Sequence, residues 1–311
     1  MSALVARTPA PPSASRVPMR RRLLGLGSVF GKTIRDSRRA TILVGGLLAL
    51  TLVGVGKTIV AEFATTESRH ELAAIIGSVP PILQGLAGRV VNVETLGGYM
   101  QYKYGTFFPL VMSLWSIIAL SGTLSSEARR GSLDLVASTP ISRRRIALEK
   151  LSGHLVSLTV AMVLVFVALV AAGAAVTLPG DEIPASAAAG YAIWLGLLAL
   201  AAGGLAFAVA QFFGRGAGVG IAGAVMFGGF LLNGYRFAIP AIAPLANLTW
   251  FGWTTNHIPL AGIYDWASVA FVGGVAVVFL AIGVEAFVRR DLGATGALPT
   301  PSLPRALVGL R

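Results

Sequence analysis

Long apolar runs separated by short polar segments make up most of the chain. An α-helix of about 20 apolar residues crosses the hydrocarbon core of a bilayer. Backbone surrounded by lipid must satisfy its own hydrogen bonds, so such runs are predicted to be helices. The pattern therefore predicts an all-α membrane protein with six transmembrane helices, near residues 40–60, 106–124, 151–176, 187–213, 217–233 and 266–288.

The segments on either side of this six-span region, residues 40–292, have a different pattern. Residues 1–19 are rich in Pro, Ala and Ser, which predicts a disordered tail. In residues 20–39 apolar positions alternate with basic ones, which is typical of an amphipathic helix lying at the membrane interface. A solvated basic tail is the alternative. Residues 293–311 form a Pro-rich C-terminal tail or connector.

Two further segments are apolar but broken by Pro or Gly. Residues 72–86 contain Pro80 and Pro81, so we expect an interfacial or extracellular piece and not a span. Residues 235–264 are rich in Trp, Pro and Asn, which favours an outer loop with short interfacial helices.

Composition agrees with the membrane assignment. The chain of 311 residues is 55% hydrophobic and 12% charged, with a mean hydropathy of +0.77. Soluble domains carry about 25% charged residues, so lipid must form part of the solvent of this protein. The absence of cysteine excludes disulfides, thiolate metal sites and a cysteine nucleophile.

The basic residues set the predicted orientation. The net charge is +12, but the charges flank apolar runs, so nucleic acid is not an expected partner. Twenty of the 25 Lys and Arg residues lie in the N-terminal segment, in the segments after the second and fourth spans, or in the C-terminal tail. Positive loops stay in the cytoplasm. We therefore expect both termini on the cytoplasmic side of a bacterial plasma membrane, which requires an even number of spans.

Catalytic motifs are weak in this sequence. Residues 51–58 approximate a phosphate-binding loop, but the first Gly is Thr51 and the stretch lies inside a span. His70, His154 and His257 have no zinc-motif spacing, so we interpret them as structural or surface residues. We therefore predict that the chain is not an enzyme and holds no cofactor or metal.

Two other features have both a functional and a structural interpretation. Glu285 lies within the last predicted span, where an acid is a candidate for ion coupling. It precedes Arg289 by four residues, so an i, i+4 ion pair is the favoured interpretation. Gly214 with Gly218, and Gly216 with Gly220, have the spacing of closely packed helices, although glycine is frequent throughout the chain.

The segment after the second span carries the strongest functional signal. Residues 127–150 read EARRGSLDLVASTPISRRRIALEK. Residues 127–138 can form a short helix that Pro140 ends, and Ser142 can cap a second helix leading into the third span. A short cytoplasmic helix joined rigidly to two spans can act as a lever for a soluble partner. An ordinary positive anchor for the membrane is the alternative.

This segment resembles the membrane permease of type 2 ABC exporters, whose pattern is E-x-R-x-G-[ST]-L-x-L-L-x-[ST]-T-P-[VI]-S-R. Val136 departs from that pattern conservatively. The end of the last span is also similar to the family's F-x-R-R-D-[LVI] stretch, here Phe287, Arg289, Arg290, Asp291 and Leu292. The matching residues of the loop are Glu127, Arg129, Gly131, Ser132, Leu133, Asp134, Leu135, Ser138, Thr139, Pro140, Ile141, Ser142 and Arg143, followed by Lys150.

The resemblance implies one permease half of an ATP-driven exporter for a hydrophobic or amphiphilic compound. Two separate ABC ATP-binding subunits would hold ATP and Mg²⁺. The C-terminal tail is similar to the connector in doubled tetronasin-type antibiotic exporter permeases, so the second half could come from a homodimer, a heterodimer or a missing fused half. The resemblance assigns contact with the ATPase to a coupling segment formed by Glu127, Arg129, Arg130, Gly131, Ser132, Leu133, Leu135, Thr139 and Pro140.

Other functions and the substrate path stay open at this point. An ion-gradient-driven secondary transporter is one alternative, and a scaffold that recruits a soluble partner through the basic loop is another. Aromatic residues on the second and fourth spans are candidates for a substrate path, although such residues also pack against other helices or lipid. The candidate path residues are Phe107, Phe108, Trp115, Trp194, Phe207 and Asn233.

Overall fold

The computed structural model describes residues 28–85, 88–123 and 142–289. Within these ranges the protein is helical, and its only β-pairing is an isolated bridge between Ile258 and Ile263. Two 3₁₀ turns occur in the last loop, at Pro240–Ile242 and Pro259–Ala261. The α-helices are α1 (Val29–Glu62), α2 (Thr66–Ser78), α3 (Pro81–Gln84), α4 (Leu96–Tyr104), α5 (Phe107–Gly122), α6 (Arg143–Gly173), α7 (Ala185–Phe213), α8 (Arg215–Tyr235), α9 (Ala243–Ala246), α10 (Trp250–Trp253) and α11 (Trp266–Arg289).

Five of these helices, α1, α6, α7, α8 and α11, are long and apolar enough to cross a membrane. A sixth span results if α4 and α5, which meet at a bend of 47°, are counted together. The prediction of a multi-pass, all-helical membrane protein is therefore confirmed. Hydropathy does not predict α4, because this helix contains Lys103, Gln101 and two glycines.

The N-terminal part of α1 differs from the predicted arrangement. Residues 29–39 and the first apolar run form one continuous helix of 34 residues. Ser28 starts this helix by accepting a hydrogen bond from the N–H of Gly31 at 3.0 Å. A separate interfacial helix over residues 20–39 is thus not confirmed, and residues 20–27 lie outside the described ranges. Residues 51–58 are helical throughout, so a phosphate-binding loop does not form there.

The central helix of the bundle is α7. In its most apolar window 72% of the residues are buried, compared with 28% in α1, α8 and α11. Small residues bring the neighbouring helices close: Gly203 faces Ser116 of α5, and Gly204 faces Ala276 of α11. The core therefore forms around α7, while α1, α8 and α11 present apolar side chains outward, including Leu43, Leu50 and Phe271.

The bundle has two distinct ends. At the terminal end, Val29 and Val288 pack against the same small apolar cluster, which includes Leu120 and Ile146. At the loop end, the connection that follows α1 contacts the connection between α6 and α7, where Arg69 forms an ion pair with Asp181. The start of α1 and the end of α11 therefore lie at the same end of the bundle. The described chain between them crosses the bundle an even number of times.

Candidate functional site

The nine residues of the predicted coupling segment lie within residues 124–141, outside the described ranges. The structure does describe both borders of this segment, at Thr123 and Ser142. These borders lie at the terminal end of the bundle, where α5 ends and α6 begins. How tightly they are held decides whether a force on the segment can reach the spans.

The C-terminal border of the segment is a capped helix start. The side-chain oxygen of Ser142 accepts a hydrogen bond from the N–H of Arg145 at 3.3 Å. This contact satisfies one of the N–H groups that have no partner in the first turn of a helix. The predicted cap is confirmed, and α6 continues from it without a break to Gly173.

The two borders are joined by a buried lysine. Lys150 of α6, 6% exposed, donates a hydrogen bond from Nζ to the carbonyl oxygen of Thr123 at 2.8 Å. Thr123 closes α5, and the last carbonyls of a helix lack partners within the helix and carry partial negative charge. The ammonium group of Lys150 therefore ties the end of α5 to the first turns of α6.

A glutamate extends this connection to the first helix. Glu149 Oε2 accepts the backbone N–H of Phe30, in the first turn of α1, at 3.2 Å. Its other oxygen, Oε1, accepts a hydrogen bond from Arg145 Nε at 2.9 Å. We call Phe30, Thr123, Arg145, Glu149 and Lys150 the anchor cluster. It joins α1, α5 and α6 at the borders of the segment.

A groove of about 390 Å³ lies beside the anchor cluster, between α1, α5 and α6. Its lining includes Lys32, Trp115 and His154. His154 is 5% exposed, and its Nε2 lies 3.0 Å from the hydroxyl of Ser116. Since Ser116 is fully buried by neighbouring helices, this pair stabilises the contact between α5 and α6. We call this cavity the terminal-end groove.

The six candidate path residues do not share one surface. Trp115 lines the terminal-end groove, whereas Trp194 and Asn233 line a cavity of about 240 Å³ at the opposite, loop end. The structure therefore brings together only Trp194 and Asn233 of the proposed set.

The three phenylalanines of that set lie in neither cavity. Phe107 is 54% exposed on the outer surface of the bundle. Phe108 is buried with its ring centroid 4.6 Å from that of Tyr104. Phe207 is fully buried and covers Gly283 of α11. Phe108 and Phe207 therefore pack inside the bundle.

An ion pair holds the loop end together. Arg69 Nη2 lies 3.0 Å from Asp181 Oδ2, and both side chains are buried. Asp181 Oδ1 also accepts the N–H of Leu96, which fixes the start of α4. Burial raises the pKa of the Asp181 carboxyl, while the Leu96 N–H and Arg69 act in the opposite direction. Sequence analysis missed this pair, because Arg69 in α2 and Asp181 in the connection between α6 and α7 are more than a hundred residues apart.

We call the cavity at the loop end the loop-end cavity. Its lining includes His257, which the sequence indicated only as a structural or surface residue. His257 is 1% exposed, and its Nδ1 accepts the N–H of Asp265 at 3.0 Å. Burial lowers the pKa of His257. Its ring centroid lies 6.4 Å from that of Trp194. The isolated spacing of His257 in sequence gave no indication of this position.

The predicted ion pair in the last span is present. Arg289 Nε lies 2.6 Å from Glu285 Oε1, and both side chains are exposed at the terminal end. This pairing confirms the structural interpretation of Glu285.

Comparison with known proteins adds no family assignment: no protein-family model matches the chain, and no curated protein matches it. The resemblance to exporter permeases therefore depends on the residues of the loop and of the last span. The anchor cluster is an independent observation, since it comes from the packing of the helices.

Proposed function

We propose that this chain is the membrane permease subunit of an ATP-driven ABC exporter in a bacterial plasma membrane. In this proposal the chain crosses the membrane six times, with the terminal end in the cytoplasm. A separate ATP-binding subunit, present in two copies, binds ATP and Mg²⁺ and docks on the segment of residues 124–141. The exported compound is hydrophobic or amphiphilic, and an antibiotic is one such compound.

The observation that carries this proposal is the anchor cluster. A docking segment can transmit a push only if both of its borders are fixed to the elements that must move. Lys150 fixes the border at Thr123, and Glu149 connects α6 to the start of α1. Hydrogen bonds to charged groups each contribute about 1.5–3 kcal/mol when well formed. A displacement of the segment would therefore move α1, α5 and α6 together.

A second permease half has surfaces available to it. In the most apolar windows of α1, α8 and α11 only 28% of the residues are buried, and their outward faces are apolar. Such faces can contact lipid or another copy of the bundle. The proposed transporter contains two halves, so we expect one of these helices to lie against the second half.

The test begins with purification of the native complex in mild detergent and identification of every subunit. We expect an ATP-binding subunit to co-purify, and deletion of residues 127–140 to abolish its binding. A transporter that keeps full activity without any ATPase would contradict the proposal and favour an ion-gradient mechanism. A soluble partner without ATPase activity would favour a scaffold.

The variant Lys150→Met tests the anchor cluster within that complex. It removes the hydrogen bond to Thr123 but retains the apolar stem. We expect the ATP-binding subunit to stay bound while transport per ATP hydrolysed falls about tenfold, which corresponds to about 1.4 kcal/mol of lost coupling. Glu285→Gln is the matched control, because it breaks an exposed ion pair at the same end. Equal losses in both variants would exclude a specific role for Lys150.

A further inference from the structure

The terminal-end groove changes from charged to apolar along its depth. Lys32 and Asp36, near the start of α1, lie at its outer end, and both side chains are exposed. The inner end is formed by Ala40, where the apolar run of α1 begins, and by Trp115 and Ile118 of α5. A groove that is charged at one end and apolar at the other matches an amphiphilic ligand, because each part of the ligand meets surroundings of its own polarity.

The inner end of the groove is continuous with the lipid-facing surface of the bundle. Ile118 is 54% exposed, and Leu114, one helical turn further from the terminal end, is 42% exposed. These two side chains form an apolar strip on the outer face of α5. Trp115 is half-buried beside this strip, with its ring centroid 5.3 Å from that of His154. A lipid can therefore place its head in the groove while its acyl chains stay in the bilayer.

The outer end of the groove presents charges of both signs. Lys32 and Asp36 are four residues apart, so they lie on the same face of α1. Asp36 Oδ1 lies 3.6 Å from Arg35 Nε, but these side chains are 56% and 43% exposed, and exposed pairs are weak. Lys150 adds a second ammonium group at the floor of the groove, and Asp36 is the only acid among the described lining residues. A head with one phosphate and one ammonium group complements this arrangement.

The charges at the outer end have fixed positions, because α1 is held against α6. The hydroxyl oxygens of Ser37 and Ser157 lie 2.8 Å apart, and Glu149 accepts the N–H of Phe30. A site whose groups are already in place loses less conformational freedom when a ligand binds.

We propose that the terminal-end groove binds one phospholipid with a phosphoethanolamine head, with the phosphate on Lys32, the primary ammonium group on Asp36 and the acyl chains along Ile118 and Leu114. A primary ammonium group donates hydrogen bonds to a carboxylate, whereas the trimethylated ammonium group of a choline head donates none. An anionic head without an amine would place a second negative charge beside Asp36. The inference does not depend on the transport function, because it concerns binding in the absence of ATP.

Binding is tested with the full chain in dodecyl maltoside micelles that contain dioleoyl phosphatidylethanolamine, phosphatidylcholine or phosphatidylglycerol at equal mole fraction. Native mass spectrometry measures the bound lipid. We expect phosphatidylethanolamine to bind about three- to tenfold more tightly than either other lipid, as for one hydrogen bond between charged groups at a partly exposed site. Asp36→Asn should remove the preference over phosphatidylcholine, and Lys32→Met should weaken the binding of all three lipids, because it removes a phosphate contact.

The matched control is Glu285→Gln, which removes another exposed acid at the terminal end and should keep the preference for phosphatidylethanolamine. Without added lipid, Asp36→Asn and Lys32→Met should melt at the temperature of the unaltered chain, because both side chains are exposed. Soluble O-phosphoethanolamine distinguishes a lipid from a free metabolite, and it should compete only at far higher concentration than the lipid. Competition at equal concentration, equal or tighter binding of another lipid, or a retained preference in Asp36→Asn would overturn the proposal.

Discussion

Buried polar side chains determine how the two ends of this apolar bundle are held. At the loop end Arg69 and Asp181 form an ion pair shielded from water, and at the terminal end Lys150 donates to the carbonyl of Thr123. The hydrophobic effect has no direction, so apolar side chains alone can be buried by more than one arrangement of the helices. A buried charged group needs well-placed partners at defined distances, so these contacts select one arrangement of the helices.

The Arg69–Asp181 pair leads to a prediction about stability. Arg69→Met leaves a buried carboxylate without its cation, and breaking such a pair costs about 3–5 kcal/mol. The double variant Arg69→Met with Asp181→Asn should recover much of this loss, because the neutral amide can still accept the N–H of Leu96. Thermal denaturation in detergent measures both.

The control for this pair is the exposed ion pair between Arg35 and Asp36. Arg35→Met should change the melting temperature little, since exposed pairs are weak. A double variant no more stable than Arg69→Met would contradict the proposed cause.

His257 makes the loop end sensitive to acid. Its pKa is lowered below the ordinary value of 6.5 by burial, so the folded protein binds this proton less readily than the unfolded chain does. Well above pH 6.5 the His257 ring is neutral in the folded and the unfolded chain, and the folded protein keeps its full stability. As the pH falls below 6.5 the unfolded chain binds the proton first, so the free energy of unfolding decreases progressively. We expect the melting temperature to drop between pH 7.5 and 5.5, and His257→Gln to reduce that drop. An unchanged drop in the variant would exclude His257 as its source.

At the scale of helices, glycine spacing predicted close packing only in part. Of the two pairs identified in sequence, Gly218 faces the backbone of α7, whereas Gly216 and Gly220 have open space around the position of a side chain. Gly214 has a φ of 86° and forms the sharp turn between α7 and α8. Spacing alone cannot distinguish these roles, because it does not indicate which face of α8 meets α7.

This difference can be tested with two matched substitutions in α8. In Gly218→Ala the added Cβ would lie 2.6 Å from the carbonyl oxygen of Ala206, so α8 must move away from α7. We expect a destabilisation of about 1–3 kcal/mol, as for other overpacked cores. Gly220→Ala should be neutral or stabilising, since alanine favours helix over glycine. Melting temperatures in one detergent compare the two, and similar values would show that α8 does not pack as described.

The orientation of the whole molecule in the membrane can be tested by cysteine labelling. The chain has no cysteine, so single cysteines can be introduced without a background. In intact cells an impermeant maleimide should label Ser78→Cys and Asn256→Cys at the loop end. It should label Ser28→Cys and Arg144→Cys only after lysis. The four positions are exposed in the structure.

The opposite labelling pattern would invert the orientation that the basic residues predict. Labelling of all four in intact cells would instead show that the reagent crosses the membrane, and a larger reagent would then be required. The result also bears on the transport proposal, because an ATP-binding subunit can reach residues 124–141 only from the cytoplasm.

The sequence by itself determined the class of the protein and the approximate position of its helices. Long apolar runs must become helices in lipid, and this requirement is local, so α6, α7, α8 and α11 begin and end within a few residues of the predicted spans, apart from the earlier start of α6. The Ser142 cap and the Glu285–Arg289 pair were also predictable, because their partners lie three or four residues away. The nine coupling residues lie outside the described ranges and stay a prediction.

Only the tertiary structure decided which polar groups meet. Arg69 with Asp181, Glu149 with Phe30, and Trp194 with His257 are contacts between distant segments, and no local pattern encodes them. Helix α4 also depends on such contacts, since its two glycines are weak helix formers and Leu96 is fixed by Asp181. The six apolar runs could pack in many orders. Burial of these few polar partners makes one order more stable than the others, because a mismatched order would leave charges and N–H groups unpaired in an apolar interior.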